Sequence, residues 1–354
     1  MIRILAVRLA ALLCALAIVA GPGRTSAAPG GLVVDGAQIA DAALFDAAKK
    51  EGKLLLYATY EAHGMGLILD KFKADTGLAV DVIRLPSAEM FDRATAEFAT
   101  HRLAADYIDT TDVTLTGKLA DRGILIGYKV SDFRNLEPVL RDEDGKWYNV
   151  IRSVMSIGVN TALVKPADIP SNWTDILDPK WKNKIGFANI DAGGTSFSFW
   201  FFLRQRYGLD AWRKAAAQNP RIGYSAQPVA TDLARGESVI IVDPIESLIS
   251  GIAAGSPLKI VLPAGGPSYG IFGGMTSVAP HPHAAQVWLN WITSKRAGTV
   301  LSSNGAYSIR RDAATPTVSG VAMPPSTSLY NIRASDVQKS YVPFVKEWHS
   351  IFAH

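Results

Sequence analysis

The chain has 354 residues, of which 48% are hydrophobic and 19% are charged. This composition supports one large or two medium α/β units and excludes an intrinsically disordered chain. The formal net charge is +4, but Arg3, Arg8 and Arg24 lie in an acid-free N-terminal stretch, which leaves +1 for the remainder. A nearly neutral protein lacks the basic surface that nucleic-acid binding requires, so we expect no nucleic-acid partner.

Residues 1–27 have the features of a secretory signal peptide. A basic start precedes the apolar run Leu9–Ala20, which is too short for a membrane helix of about 20 residues. Cys14, the one cysteine of the sequence, falls inside this run, so the exported part has no disulfide or cysteine metal site. A lipoprotein acylated at Cys14 is the alternative, but Ala11-Leu12-Leu13 fits that signal poorly. We therefore predict a soluble periplasmic protein.

After the leader, strands and helices alternate along the chain. A strand at Lys53–Tyr57, a helix and a strand at Val80–Ile83 form a βαβ unit, which predicts a parallel sheet. Two long segments, Trp147–Asn160 and Ile271–Ala279, are predicted to be extended strands. The other predicted elements, in chain order, are helices at Ile39–Lys50 and Glu89–His101, a strand at Tyr107–Asp109, a helix at Val113–Arg122, a helical turn at 173–178, a strand at Ile185–Asn189, a helix at Phe197–Tyr207, strands at Glu237–Val242 and Lys259–Leu262, and helices at His283–Ser294 and Ser335–Phe352.

This order predicts an α/β fold of two lobes joined by the two long strands, which we call the crossings. A cleft between the lobes, at the carboxyl ends of the strands, is the expected ligand site. We assign residues 28–152 and 279–354 to lobe 1, and residues 153–278, including the crossings, to lobe 2.

Six segments of the chain are distinctive: KLLLYATYEAH (53–63), FKADTGLAVDVIR (72–84), ILDPKWKNKIGFAN (176–189), GESVIIVD (236–243), AAGSPLKIVLPAGG (253–266) and APHPHAAQVWLNWITS (279–294). In this order they resemble the family 1 extracellular solute-binding proteins, which are the capture subunits of ABC importers. The similarity is to the branch that binds ferric ion, phosphonates and organic anions. It implies a type II periplasmic-binding fold that closes around one small ligand, a monomeric state, and a membrane permease and ATPase as partners.

One position departs from the ferric-binding members of that family. Those members carry paired tyrosines after the strand that corresponds to Val239–Val242, whereas this chain has Ile245 and Glu246 there. Phenolate oxygens suit a hard ferric ion. The sequence therefore favours a small organic anion, such as a carboxylate or phosphonate, and leaves ferric ion held by other ligands as the alternative.

The turn Gly193-Gly194-Thr195-Ser196 precedes the predicted aromatic helix. The resemblance implies that Gly194, Thr195 and Ser196 contact an anion, which backbone N–H groups and hydroxyls suit. The alternative is that a hydroxyl only caps the helix.

Other candidate ligand residues come from four places. Tyr60 and Glu61 follow the first strand, and Tyr60 suits stacking while Glu61 suits an amine or cation. Arg152 and Ser153 lie on the first crossing, where a guanidinium offers bidentate carboxylate recognition. Acids that end predicted strands, and a tyrosine that precedes the second crossing, complete the set: Asp109, Asp243, Glu246 and Tyr269. Each has a structural alternative, namely a hinge residue for Arg152 and surface ion pairs for the acids.

The histidines and the aromatic run are interpreted structurally. His63 is expected on a surface loop, and His281-Pro282-His283 at a helix start, rather than at a metal site. Phe197–Phe202 is expected in a helix core. No nucleophile elbow, P-loop or HExxH motif is present, so we expect a binding protein with no cofactor. An exported hydrolase or lyase, and a sensor that signals to a membrane kinase, remain alternatives.

Overall fold

The structure is a computed structural model that describes residues 30–318, 321–332 and 334–352. The predicted signal peptide, residues 1–27, lies outside the described residues. Among the residues that are described, no helix is long and apolar enough to cross a membrane.

The N-terminal half alternates between strands and helices as predicted. Its elements are β1 (Gly31–Val34), β2 (Ala37–Asp41), α1 (Ala42–Glu51), β3 (Lys53–Ala58), α2 (Ala62–Thr76), β4 (Ala79–Arg84), α3 (Ser87–Ala99), β5 (Tyr107–Thr110) and α4 (Val113–Asp121). Helix α1 begins three residues later than predicted because β1 and β2 form an antiparallel hairpin. The Asp41 side chain caps the helix by accepting a hydrogen bond of 2.8 Å from the Leu44 N–H.

The remainder follows the same pattern. Its elements are β6 (Tyr148–Asn160), β7 (Ile185–Ala188), α5 (Gly194–Tyr207), α6 (Leu209–Ala217), β8 (Arg221–Gly223), α7 (Ala226–Arg235), β9 (Ile240–Pro244), α8 (Ile245–Ala253), β10 (Leu258–Val261), β11 (Ser268–Met275), α9 (Pro282–Ile292), α10 (Lys295–Ser303), β12 (Thr317–Val318), β13 (Val321–Ala322) and α11 (Ala334–Phe352). The sequence analysis missed α6, α7, α8 and α10. It also placed the second crossing too late, because β11 begins at Ser268, so Tyr269 lies within this strand rather than before it.

The principal sheet has the strand order β4-β3-β5-β11-β6-β9-β7-β8, with β10 also paired to β6. Strands β3, β4 and β5 are parallel on one side, and β7, β8 and β9 are parallel on the other. Strands β6 and β11 pair with each other antiparallel in the middle. The predicted α/β fold with two extended crossings is therefore confirmed.

Two main apolar cores flank the crossings. One is built from α1, α2, α9 and the strands beside them, and the other centres on α5, whose Phe197–Phe202 run is buried as expected. The C-terminal helix α11 joins the second core: the Trp348 ring stacks on Phe352 with centroids 4.6 Å apart and meets Trp200 edge-on at 5.5 Å. Our assignment of 279–354 to lobe 1 was made without this contact, and the lobe boundaries stay a prediction.

Candidate functional site

Polar side chains collect where β3 and β9 end, beside the crossings. Helix α2 begins just after β3, and α8 begins directly after β9, so both helix starts meet the face of β6 and β11 that carries Ser153 and Tyr269. Six side chains come together there, and we call them the acid–phenol cluster: Tyr60, Glu61, Ser153, Glu246, Tyr269 and Asn304.

Glu246 lies at the centre of the acid–phenol cluster and is fully buried. The Tyr269 hydroxyl donates a hydrogen bond of 2.8 Å to its Oε2, while its Oε1 has no partner among the described residues. Burial raises the pKa of Glu246 to about 7, with the nearby Glu61 carboxylate adding to the rise. The neighbouring Ser153 lowers that pKa, although Ser153 Oγ makes no hydrogen bond of normal length and angle to any described residue.

Tyr60 and Glu61 form the opposite wall of the cluster. Asn304 bridges them, because its Nδ2 donates to Tyr60 Oη at 3.0 Å and to Glu61 Oε1 at 3.1 Å. Glu61 also caps α2 by accepting from the backbone N–H groups of His63 and Gly64. Burial raises the pKa of Tyr60 well above its ordinary value, and the carboxylates of Glu246 and Glu61 raise it further.

The acid–phenol cluster contains no balancing cation. No Lys, Arg or His in the described chain forms an ion pair with Glu61 or Glu246. Nor do the described residues contain a group of three or more His, Cys, Asp or Glu side chains suited to a metal. This cluster instead combines two carboxyl groups with two phenols, and such oxygen donors suit a hard cation.

Two phenols lie in the acid–phenol cluster even though the tyrosine pair that directly follows β9 in ferric-binding relatives is missing. Position 246 is a glutamate, but Tyr60 and Tyr269 reach the same place from β3 and from the second crossing. The departure at Ile245 and Glu246 therefore does not deprive this place of phenols, and Tyr60 and Tyr269 were both among the candidate ligand residues.

Asp109 and Asp243 are both buried rather than placed on an open wall. Asp109 accepts hydrogen bonds from Thr59 N–H at 2.8 Å and Thr59 Oγ1 at 2.6 Å, so it fixes the turn before Tyr60. Burial raises the pKa of Asp109 to about 6.

Asp243 is fully buried and neither carboxyl oxygen has a partner among the described residues. Burial, and then Glu246, raises the pKa of Asp243 well above its usual range. Neither Asp109 nor Asp243 forms an ion pair with a described Lys, Arg or His, so the surface ion pairs considered for these acids are not seen.

Arg152 and Ser153 face opposite sides of the first crossing. In the register of β6 with β11, Ser153 pairs with Tyr269 and Arg152 pairs with Gly270. Because side chains alternate along a strand, only Ser153 joins the acid–phenol cluster. The prediction that both residues contact one ligand is not supported by this placement.

Gly194, Thr195 and Ser196 form the first turn of α5, which begins three residues earlier than predicted. This turn lies directly against the loop after β5: a Cβ on Gly194 would come within 1.9 Å of the Thr111 carbonyl oxygen. A glycine is therefore needed at position 194 for the first turn of α5 to lie this close to the loop after β5. No capping hydrogen bond precedes α5, so the helix-capping alternative for Thr195 and Ser196 is not seen.

The histidines lie outside the cluster. His63 is exposed in the first turn of α2, and His281 and His283 begin α9 next to acids, with Nδ1 of His281 3.0 Å from Asp106 and Nδ1 of His283 2.7 Å from Glu51. Sequence reasoning missed Asn304 and also Ser250, whose hydroxyl lies 3.4 Å from Glu61 Oε2. Neither residue belongs to a sequence motif, and Asn304, which directly follows α10, is brought to the cluster by folding.

Comparison with known proteins identifies the family. Residues 103–324 match the family described as bacterial extracellular solute-binding protein. The chain belongs to this family. The predicted membership is confirmed, and with it the description of the chain as the solute-binding type of protein found in ABC transporters.

Relatives by sequence are distant. Iron uptake protein A1 of Synechocystis sp. is 27% identical over 149 residues, which are 42% of this chain and 41% of that protein. The Fe(3+)-binding periplasmic protein of Serratia marcescens is 21% identical over 278 residues, or 74% of this chain and 79% of that one. The match to the Synechocystis protein, like that to an uncharacterised Haemophilus influenzae protein (45%), spans less than half of the relative's length.

Solved structures share the fold. The periplasmic binding protein AfuA from Actinobacillus pleuropneumoniae, with fructose-6-phosphate bound, superimposes with a TM-score of 0.70 at 18% identity, covering 86% of this chain and 99% of that one. Iron-bound HitA from Pseudomonas aeruginosa gives 0.68 at 17% identity, covering 84% and 99%. The substrate binding protein of an Agrobacterium tumefaciens ABC transporter gives 0.74 at 14% identity, covering 87% and 97%. The type II periplasmic-binding fold is confirmed, and because one neighbour holds iron and another a sugar phosphate, the fold does not specify the ligand.

Proposed function

We propose that the protein captures ferric ion in the periplasm and delivers it to an ABC importer. The observation that supports this most directly is the acid–phenol cluster, in which two carboxyl groups and two phenols meet and no Lys, Arg or His of the described residues pairs with the carboxyl groups. Ferric ion is a hard cation, and deprotonated phenols and carboxylates are the ligands that would hold it. Two relatives are named for iron, which agrees with this choice.

The experiment is a ferric titration followed by visible absorbance and by calorimetry. Tyrosinate bound to ferric ion absorbs visible light, so Tyr60→Phe and Tyr269→Phe should each reduce the band and weaken binding. Tyr224→Phe is the matched control, since Tyr224 is 78% exposed and does not belong to the acid–phenol cluster. If neither cluster variant changes the titration, ferric ion is not held there.

A small organic anion, which the sequence favoured, is the second candidate. The observation in its favour is the first turn of α5, where the N-cap residue Gly193 has no side chain to cap the backbone N–H groups. An anion at the acid–phenol cluster itself would meet Glu61 and Glu246, which repel it. Thr195→Ala with Ser196→Ala should weaken anion binding by about 1–3 kcal/mol if their hydroxyls are ligands. Unchanged affinity would remove the turn from the site.

The remaining functional assignments rest on the family. A membrane permease and an ATPase are the proposed partners, a monomer is the proposed state, and no catalysis is proposed. Prolonged incubation of bound ligand, followed by product analysis, separates this reading from a hydrolase or lyase. Uptake measured after deletion of the protein separates import from a sensor role.

A further inference from the structure

A second pocket lies beside the crossings, on the face that carries Arg152. It has a volume of about 710 Å³ and is walled by β6, β11, the first turns of α4 and α5, and the segment 326–332. Tyr269 is the one residue of the acid–phenol cluster that also lines it. Arg152 points into this pocket, whereas its neighbour Ser153 faces Glu246, because side chains alternate along the strand. Arg152 thus belongs to a different site from the one considered for ferric ion.

Arg152 brings a positive charge without a direct ion pair to this pocket. Asp112, Glu137 and the ion-paired Arg310 also line it, and Glu137 acts electrostatically on Arg152 from beyond ion-pair distance. Its Nη2 donates to the Ser326 carbonyl oxygen at 3.1 Å and to Asn331 Oδ1, both of which are neutral acceptors. In the described chain, no carboxylate lies within 4 Å of the guanidinium, and neither Nε nor Nη1 has a hydrogen-bond partner. A half-buried guanidinium with free donors is suited to pairing with a carboxylate.

A buried acceptor without a partner lies on the same face. Asn149 lines the pocket, is 3% exposed, and its Oδ1 receives no hydrogen bond from the described residues. A bulge at Val150 produces this placement, since Ile151 pairs with Ile271 while Asn149 pairs with Phe272. Gly270 makes room for the amide, because a Cβ there would come within 2.4 Å of Asn149 Nδ2. An amide oxygen in this position is suited to a ligand hydroxyl or N–H group.

Apolar side chains complete the walls. The Trp147 and Phe272 rings meet edge-on with centroids 5.8 Å apart, and Phe197, Val139 and Leu140 line the pocket as well. A mostly apolar pocket with a few converging polar groups is the usual form of a small-molecule site.

From these three features we infer that the pocket behind the crossings binds an organic carboxylate that carries a hydroxyl or amine donor and an apolar body. The carboxylate pairs with Arg152, the donor group reaches Asn149 Oδ1, and the apolar part lies against Trp147 and Phe272. This site shares Tyr269 with the acid–phenol cluster, but its polar contacts come from Arg152 and Asn149 and do not depend on ferric binding.

The test uses 3-phenyllactate as a probe, titrated calorimetrically into the purified protein. The uncharged 3-phenyllactamide and the hydroxyl-free 3-phenylpropionate are matched ligand controls. We expect the amide to bind at least about tenfold more weakly, because it loses the charge-assisted pairing. Phenylpropionate should also bind more weakly, and Asn149→Ala should abolish its disadvantage. Equal binding of all three compounds, or no binding of phenyllactate at millimolar concentration, overturns the proposal.

Variants locate the site. Arg152→Gln should reduce phenyllactate affinity about tenfold or more, whereas Arg213→Gln, which removes an exposed arginine paired with Asp210, should not. Glu246→Gln should leave phenyllactate binding intact while it impairs ferric binding, so the two sites can fail independently. If Glu246→Gln removes phenyllactate binding and Arg152→Gln does not, the carboxylate binds at the acid–phenol cluster and the inference is wrong. Arg152 also holds the segment 326–331. If loss of this contact makes Arg152→Gln unstable, the comparison of the three ligands on the unmodified protein still tests the proposal.

Discussion

Tyr269 Oη donates a 2.8 Å hydrogen bond to Glu246 Oε2, and this contact joins the second crossing to the first turn of α8. Both groups are buried, and each affects the proton affinity of the other: Tyr269 lowers the pKa of Glu246, whereas Glu246 raises that of Tyr269. Burial is the largest cause of the raised pKa in both residues. The Tyr269 phenol therefore stays protonated at neutral pH, whereas Glu246 titrates there, and this has measurable consequences.

The stability of the ligand-free protein should fall as the pH rises from about 5 to 8. In the folded state the pKa of Glu246 is raised from 4.5 to about 7, so between these values the folded protein binds more protons than the unfolded chain. Deprotonation then favours unfolding, and the loss is complete above the folded pKa. Glu246→Gln should reduce this dependence and be more stable than the unmodified protein at pH 8 by about 1–3 kcal/mol.

Urea unfolding at several pH values measures this effect. Glu143→Gln is the control, because the Glu143 side chain is 83% exposed and lies in a surface turn. An unchanged pH profile in Glu246→Gln would show that Glu246 ionises normally.

Ferric binding should release protons and tighten with rising pH. The pKa values of Tyr60 and Tyr269 are raised well above the ordinary value, mainly by burial, so both phenols are protonated when the site is empty. A ferric ion needs deprotonated ligands and must displace those protons. Calorimetry in buffers of different ionisation enthalpy counts the protons released, and a count of zero would contradict coordination by these tyrosines.

Gly194→Ala should impair ligand binding with little change in unfolding free energy. The added Cβ would meet the Thr111 carbonyl oxygen at 1.9 Å, so the α5 turn could no longer lie against the β5–α4 loop. Moving the α5 turn away from the β5–α4 loop removes this clash. We therefore expect the two predicted lobes of the variant to stay apart when ferric citrate is added. Small-angle X-ray scattering reports this as a radius of gyration that does not decrease with ligand.

Gly117→Ala, also in a helix, is the control for that experiment, because its Cβ would meet nothing within 4 Å. A Gly194→Ala protein that binds and compacts like the unmodified one would show that close approach at Thr111 is not needed.

Trp348→Ala should destabilise the protein by about 3–5 kcal/mol, the usual cost of removing a buried aromatic ring. Trp348 is buried between Trp200 and Phe352 and fixes α11 to the α5 core. Val342→Ala on the same helix is the control, since Val342 is 75% exposed. Chemical denaturation measures both, and a loss below about 1 kcal/mol for Trp348→Ala would mean that α11 contributes little to folding.

The sequence by itself was sufficient for the family, the α/β alternation and both crossings. The strands could be predicted from local pattern, because the runs Lys53–Ala58 and Tyr148–Asn160 consist largely of β-branched and apolar residues, which favour extended backbone. Glycines such as Gly52 and Gly77, at positive φ, end helices where sequence reasoning placed those ends. The aromatic run 197–202 was correctly expected in a core because an uncharged aromatic segment has no favourable exposed face.

Tertiary structure alone decided the composition of the site. Tyr60, Glu246, Tyr269 and Asn304 are distant in sequence, and only the pairing of β6 with β11 and the positions of α8 and α10 bring their oxygen and nitrogen atoms together. The same register assigns Arg152 and Ser153 to opposite faces, since a shift of one residue along a strand reverses the side-chain direction. Ionisation follows from this packing too, because a carboxyl group such as that of Asp243 acquires its raised pKa from burial by residues far along the chain.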